Sequence, residues 1–82
     1  MTVYFFHLRD DRDLLIDAEG RDLADIAAIA DEALREARAL ISAEVLEGRL
    51  DLSQRFEIVD AAHALVHQLV FADAIEIVHP EA

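Results

Sequence analysis

The sequence predicts an α+β domain of ββαββ order, a two-layer sandwich with one long helix packed on a mainly antiparallel four-stranded sheet. Three observations lead there. The Ala-rich stretch from Asp25 to Gly48 carries helical periodicity with no Gly or Pro inside it. Residues 2–8 before it, and 55–60 and 65–71 after it, are rich in β-branched and aromatic side chains. Short charged or Gly-containing segments separate these runs, with no linker and no repeat among them.

Residues 2–8 read as the first strand. Val3 and Phe5 alternate with Tyr4, Phe6 and Leu8, so both faces are apolar, which suits a central strand covered on both sides. Residues 9–13 form a charged turn. Residues 14–17 are a short second strand at an edge, closed by Ala18, Glu19 and Gly20, and residues 21–24 lead into the helix.

The helix is expected over 26–47. At 100° per residue, Ile26, Ile29, Ala30, Ala33, Ala37, Leu40 and Ile41 share one stripe. Ala28, Asp31, Glu32, Arg35, Arg38 and Ser42 lie opposite. Asp25 is placed to cap the first amides, and Gly48 to end the helix in a left-handed conformation. Small side chains in mid-stripe let the helix sit close on the sheet. At ~1.5 Å per residue it is roughly 30 Å long, whereas a six-residue strand spans ~20 Å. Its last turns should therefore overhang, which accounts for Glu44 in the apolar stripe.

Residues 49–54 connect to the third strand, 55–60. Residues 61–64 turn the chain into the fourth strand, 65–71. Residues 72–78 are either a short helix capped by Asp73 or a final extended piece, and Pro80 ends them. The most apolar strand belongs inside the sheet, so the expected spatial order is 2-1-3-4.

Composition narrows the function classes. The chain has 82 residues, expected as a single domain over 1–82, and a net charge of −11. Such a surface repels phosphate backbones and anionic membranes, so neither nucleic acid nor membrane is an expected partner. No apolar run approaches membrane-spanning length. The absence of cysteine removes disulfides and thiolate metal sites. No signal peptide is visible at Met1–Thr2–Val3–Tyr4, and a cytoplasmic location is expected.

Candidate chemistry is sparse. The hydroxyls of Thr2, Tyr4, Ser42 and Ser53 sit in no nucleophile elbow, and Gly20 and Gly48 make no phosphate loop. His63 and His67 have the i,i+4 spacing that converges on a helix, yet they fall on a turn and a strand. His7 and His67 would meet only on neighbouring strands in register. Asp10, Asp11, Asp13, Asp17 and Glu19 resemble a calcium loop superficially, but Leu14, Leu15 and Ile16 interrupt the required alternation. Asp60 and Asp73 read as turn and cap residues. No catalytic residue, cofactor or metal site is therefore expected, and the chain is read as not an enzyme.

The opening Tyr4-Phe5-Phe6-His7-Leu8-Arg9-Asp10 resembles the signature of a family of small alphaproteobacterial proteins, a domain-of-unknown-function family. Further matching pieces are Asp17, Glu19 and Gly20, then Leu23-Ala24-Asp25-Ile26-Ala27-Ala28 with Ala33, then Gly48. Phe56-Glu57-Ile58-Val59-Asp60 and Phe71-Ala72-Asp73-Ala74 complete the set. The family pattern tends to place Gly after Asp60, where this chain has Ala62-His63-Ala64. The resemblance carries no activity and no catalytic residue. A second, weaker likeness is to HicB-type antitoxins, in the strand, the Asp-x-x-Gly region and the Ala-rich helix; this chain lacks their DNA-binding appendage.

Counting faces gives the functional expectation. One helix covers one side of the sheet, and the other side would carry Phe5, Val59, Val66 and Val70 as a contiguous apolar patch, extended by Val45 and Leu46 at the overhanging helix end. Either the tail, residues 72–78, folds back over it or a second copy docks there; the tail is short and carries Asp73 and Glu76, so docking is expected, giving a homodimer with a regulatory or adaptor role. The alternatives are an antitoxin-like neutraliser of a basic toxin partner, and a small-ligand or metal-binding module.

Overall fold

The computed structural model describes residues 2–81. It is an α+β fold with one long helix on an antiparallel sheet. The elements run β1 (Thr2–Arg9), β2 (Leu14–Leu15), β3 (Arg21–Leu23), α1 (Ile26–Leu46), β4 (Arg55–Val59) and β5 (Leu65–Val70), followed by a 3₁₀ turn at Phe71–Asp73. The sheet order is β2-β1-β4-β5, and β3 also bonds to β1. This is the expected order with one strand added.

The added strand is a correction to the reading of 21–24 as a lead-in. Arg21, Asp22 and Leu23 pair with Tyr4, Val3 and Thr2, while Leu14 and Leu15 pair with Arg9 and Leu8. β2 and β3 are thus two pieces of one interrupted edge. Asp17 fills the interruption. Its Oδ2 accepts the Phe6 N–H at 3.0 Å, and its Oδ1 accepts those of Glu19 and Gly20 at 3.2 and 3.1 Å. Its own N–H donates to His7 Nδ1 at 3.1 Å. A side chain here satisfies the backbone donor that a continuous strand would have paired.

Gly20 takes φ +71°, and a Cβ on it would stand 2.7 Å from Val3 Cγ1 and 2.9 Å from Phe5 Cε1. Only a residue without a side chain lets the chain turn back this tightly.

Helix α1 starts as expected, with Asp25 Oδ1 accepting the Ala28 N–H at 2.8 Å. It ends in a Schellman-type closure. The Gly48 N–H donates to the Val45 carbonyl at 2.9 Å and the Arg49 N–H to the Glu44 carbonyl at 3.1 Å. Ile29, Ala33, Ala37 and Ile41 are buried, while Ile26, at the first turn, is exposed. Glu44 gains a partner at the overhang, since Gln54 Nε2 donates to its Oε1 at 2.8 Å.

Beneath the helix lie Phe6, Phe56, Ile58 and Phe71. Phe6 and Phe56 meet edge-on with centroids 5.8 Å apart, and Phe56 and Phe71 lie tilted at 5.3 Å. Arg21 closes the β3 side of this layer. Its guanidinium stands 4.2 Å above the Phe6 ring and pairs with Glu36 of the helix.

The hairpin between β4 and β5 turns on Asp60, whose Oδ1 accepts the N–H groups of Ala62 and Ala64. His63 carries the left-handed step there, at φ +66°. After β5 the chain makes the 3₁₀ turn without a side-chain cap, so Asp73 does not open a helix. Ala74 is buried, and its carbonyl accepts from Arg38 Nε at 2.8 Å. No helix among the described residues is long and apolar enough to cross a membrane.

Candidate functional site

Register assigns each strand residue to a face. On β1, Tyr4, Phe6 and Leu8 face the helix; Val3, Phe5, His7 and Arg9 face away. Across that outer face Phe5 pairs with Val59, His7 with Glu57 and Arg9 with Arg55. One strand further on, Glu57 pairs with Gln68 and Arg55 with Val70. No second layer covers this face among the described residues.

Phe5, Val59 and Val70 stand where the face count puts them. Val66 does not. The β4–β5 register shifts at Ile58/Val59, so that Val59 pairs with Leu65, and Val66 packs against the buried core instead. The exposed apolar residue of that strand is Leu65. Val45 and Leu46 are exposed at the end of the helix, in the layer on the opposite side of the sheet. They are not brought to Phe5 and Val59.

The outer face is also not uniformly apolar. Val3, Phe5, Val59 and Leu65 gather at one end of the strands, with Gly20 against Val3 and Phe5. At the other end a charged cluster crosses two strands. Arg9 Nε donates to Glu57 Oε1 at 3.0 Å, and Arg55 Nε donates to Glu57 Oε2 at 3.2 Å. The bond from Arg9, opposed by slight burial and reinforced by the bond from Arg55, holds the Glu57 carboxyl below its ordinary range. Each guanidinium is engaged through Nε alone, which leaves the terminal nitrogens of both without a hydrogen-bond partner among the described residues. Two guanidiniums thus flank one carboxylate, and the acidic loop of Asp10, Asp11 and Asp13 follows directly after Arg9.

This cluster is not expected from the sequence: Arg9 belongs to β1 rather than to the charged turn, and continued alternation from Val3 through Phe5 and His7 assigns it to the same face. No local signal tells which β1 residues lie beside Arg55 and Glu57.

The other candidates resolve simply. His7 lies on the outer face of β1, and His67 of β5 pairs with Ile58 of β4, so β4 stands between the two histidine strands. They do not meet. No group of three or more potential metal ligands converges among the described residues. In the acidic loop, Asp10 Oδ1 accepts the N–H groups of Arg12 and Asp13, both at 2.8 Å, and so serves its own turn. A depression of about 430 Å³ lies between that loop, Arg49 and Asp51. On the helix side, a groove of about 460 Å³ runs between the β2–β3 segment and the helix, lined by Leu8, Leu15, Ile16, Arg21, Glu36 and Leu40 among others.

The signature residues of the N-terminal resemblance now have structural work: Phe6 and His7 bond to Asp17, and Asp10 closes the first turn. The sequence model of a family described as a domain of unknown function, DUF6894, matches residues 3–72. The chain belongs to the DUF6894 family. That span runs from β1 through the 3₁₀ turn and includes both halves of the outer face. No curated protein and no solved structure matches this DUF6894 chain.

Proposed function

We propose that this DUF6894 protein is a non-enzymatic interaction module that acts as a homodimer through the outer face of its sheet, in a regulatory or adaptor role. The observation that carries the reading is the uncovered apolar end formed by Val3, Phe5, Val59 and Leu65. Leu65 is 58% exposed and Val3 36% exposed, although both stand on strands next to half-buried neighbours. Covering such a patch removes apolar surface from water on both copies at once, and the same patch on each makes a two-fold pairing self-consistent.

The test is the oligomeric state. Wild type is expected to sediment as a dimer at micromolar concentration. The Val3→Glu/Leu65→Glu double variant is expected to keep its circular-dichroism spectrum and sediment as a monomer. A wild-type chain that stays monomeric up to hundreds of micromolar rules the reading out.

A further inference from the structure

We infer that His7 is a proton-sensitive latch on the interrupted edge: its neutral ring holds the Asp17 amide, and a proton taken onto that ring releases the β2–β3 junction. What carries this is the direction of one hydrogen bond. The Asp17 N–H donates to His7 Nδ1 at 3.1 Å. A backbone amide can only donate, so Nδ1 must offer a lone pair, and the ring proton of neutral His7 sits on Nε2. A proton taken from solvent onto Nδ1 turns that acceptor into a second donor. Two N–H groups then point at each other, and the bond is lost.

The junction has little else to hold it. β2 is two residues long and β3 three, and residues 16–20 between them belong to no strand. Ile16, Ala18 and Glu19 are exposed. Among the described residues, this segment is hydrogen-bonded to β1 at Asp17 alone, through its N–H to His7 and its Oδ2 to the Phe6 N–H. Segments with so few ties open at the low end of local stability. The same residues form one wall of the groove beside the helix, from Leu15 to Glu19, and Gly20 backs onto Val3 and Phe5. Release of the junction therefore opens that wall while the core beneath the helix stays packed. The latch lies within one chain and does not depend on the dimer.

The charged groups around the ring come from three elements. Asp17 stands at the junction, Glu57 lies directly across on β4, and Arg9 is two residues along β1 on the same face. Gln68 of β5, beyond Glu57, is uncharged. Both carboxyls are held below their ordinary values, so they stay ionised across the range in which imidazoles titrate, about pH 5 to 8. Within that range the proton count at this corner of the sheet changes at His7.

Solution NMR on the isotope-labelled full chain tests the latch, from about pH 8 to about pH 5. At the alkaline end the ring nitrogens of His7 should show the Nε2–H tautomer. Hydrogen-exchange protection is read against the intrinsic rate at each pH. As His7 takes up its proton, protection of the Asp17 amide should fall roughly three- to tenfold, the worth of one net hydrogen bond. Protection of Ile58, fully buried in the sheet, should not change, which separates release of the junction from global unfolding. His7→Asn sets an amide oxygen in place of Nδ1 and does not titrate, so Asp17 should stay protected at every pH. His7→Phe removes the acceptor, and protection should be low throughout. Should His7→Phe not fold, wild type and His7→Asn decide the matter. Asp17 protection that does not follow the His7 titration overturns the latch. So does an Nδ1–H tautomer, a ring that stays neutral to the acid end, or a His7→Asn chain that loses protection as wild type does.

Discussion

Asp17 and Phe6 lie eleven positions apart and are joined by a carboxylate-to-amide hydrogen bond of 3.0 Å that stands where a strand pairing is missing. The same carboxylate takes the amides of Glu19 and Gly20. Partial burial pushes this carboxyl up, and the three amides together with the Arg21 guanidinium pull it further down, so it ends below the ordinary aspartate value of 3.8. Its folded form therefore binds protons less readily than the unfolded chain does. The stability it supplies is present above about pH 4 and is lost as pH falls through the lower folded value. Asp17→Asn is expected to cost about 1–2 kcal/mol near neutrality, at the low end for charged hydrogen bonds because the group is half-exposed. Urea midpoints measured from pH 6 down to pH 2 should show the variant losing less stability in acid than wild type. Equal losses would mean that Asp17 contributes nothing to the acid limb.

The two glycines separate backbone freedom from space. Both have positive φ, +71° at Gly20 and +85° at Gly48, but only Gly20 has side chains within reach of an added Cβ. Gly48→Ala should cost the left-handed penalty, about 1–2 kcal/mol. Gly20→Ala should cost that and a further ~1–3 kcal/mol for displacing Val3 and Phe5. Denaturant midpoints of the two variants side by side decide this, and equal losses would remove the steric argument.

Ala33 and Ala37 are fully buried between helix and sheet. Ala37→Leu adds three carbons where no space is left and is expected to destabilise by on the order of 1–3 kcal/mol. An unchanged midpoint would mean that the helix can lift from the sheet without loss.

These two alanines show what was legible in the sequence. Helix position and the buried residues Ile29, Ala33, Ala37 and Ile41 follow from periodicity, because a 21-residue run repeats its signal several times, and strand order follows from the apolarity of β1. Arg21–Leu23 gave no such signal. Three residues, two of them charged, become a strand only through pairing with Thr2–Tyr4, which is long-range information. Val66 departs from its expected face for a related reason. A register shift at Ile58/Val59 changes which side chains share a face, and nothing in Leu65-Val66-His67 announces it. The charged cluster of Arg9, Glu57 and Arg55 likewise exists only once β1 lies against β4.

His63 occupies the left-handed position of the β4–β5 turn, at φ +66°. A β-carbon there is unfavourable, and glycine removes the penalty at the cost of a more flexible unfolded chain. His63→Gly is expected to raise stability by about 0.5–1 kcal/mol. A lower melting temperature for this variant would show that the imidazole makes a compensating contact.

The interrupted edge also bears on how copies of this protein can add to one another. A fibril grows by hydrogen-bonding strand to strand, and for that each unit must present two straight edges of unpaired amides and carbonyls. Here one edge is broken into pieces of two and three residues around Asp17, and the other is bent by the register shift in β5. Growth by strand addition is therefore obstructed at both ends of the sheet. What remains open is the flat side, where the proposed two-fold pairing would use up the surface that makes it and stop at two.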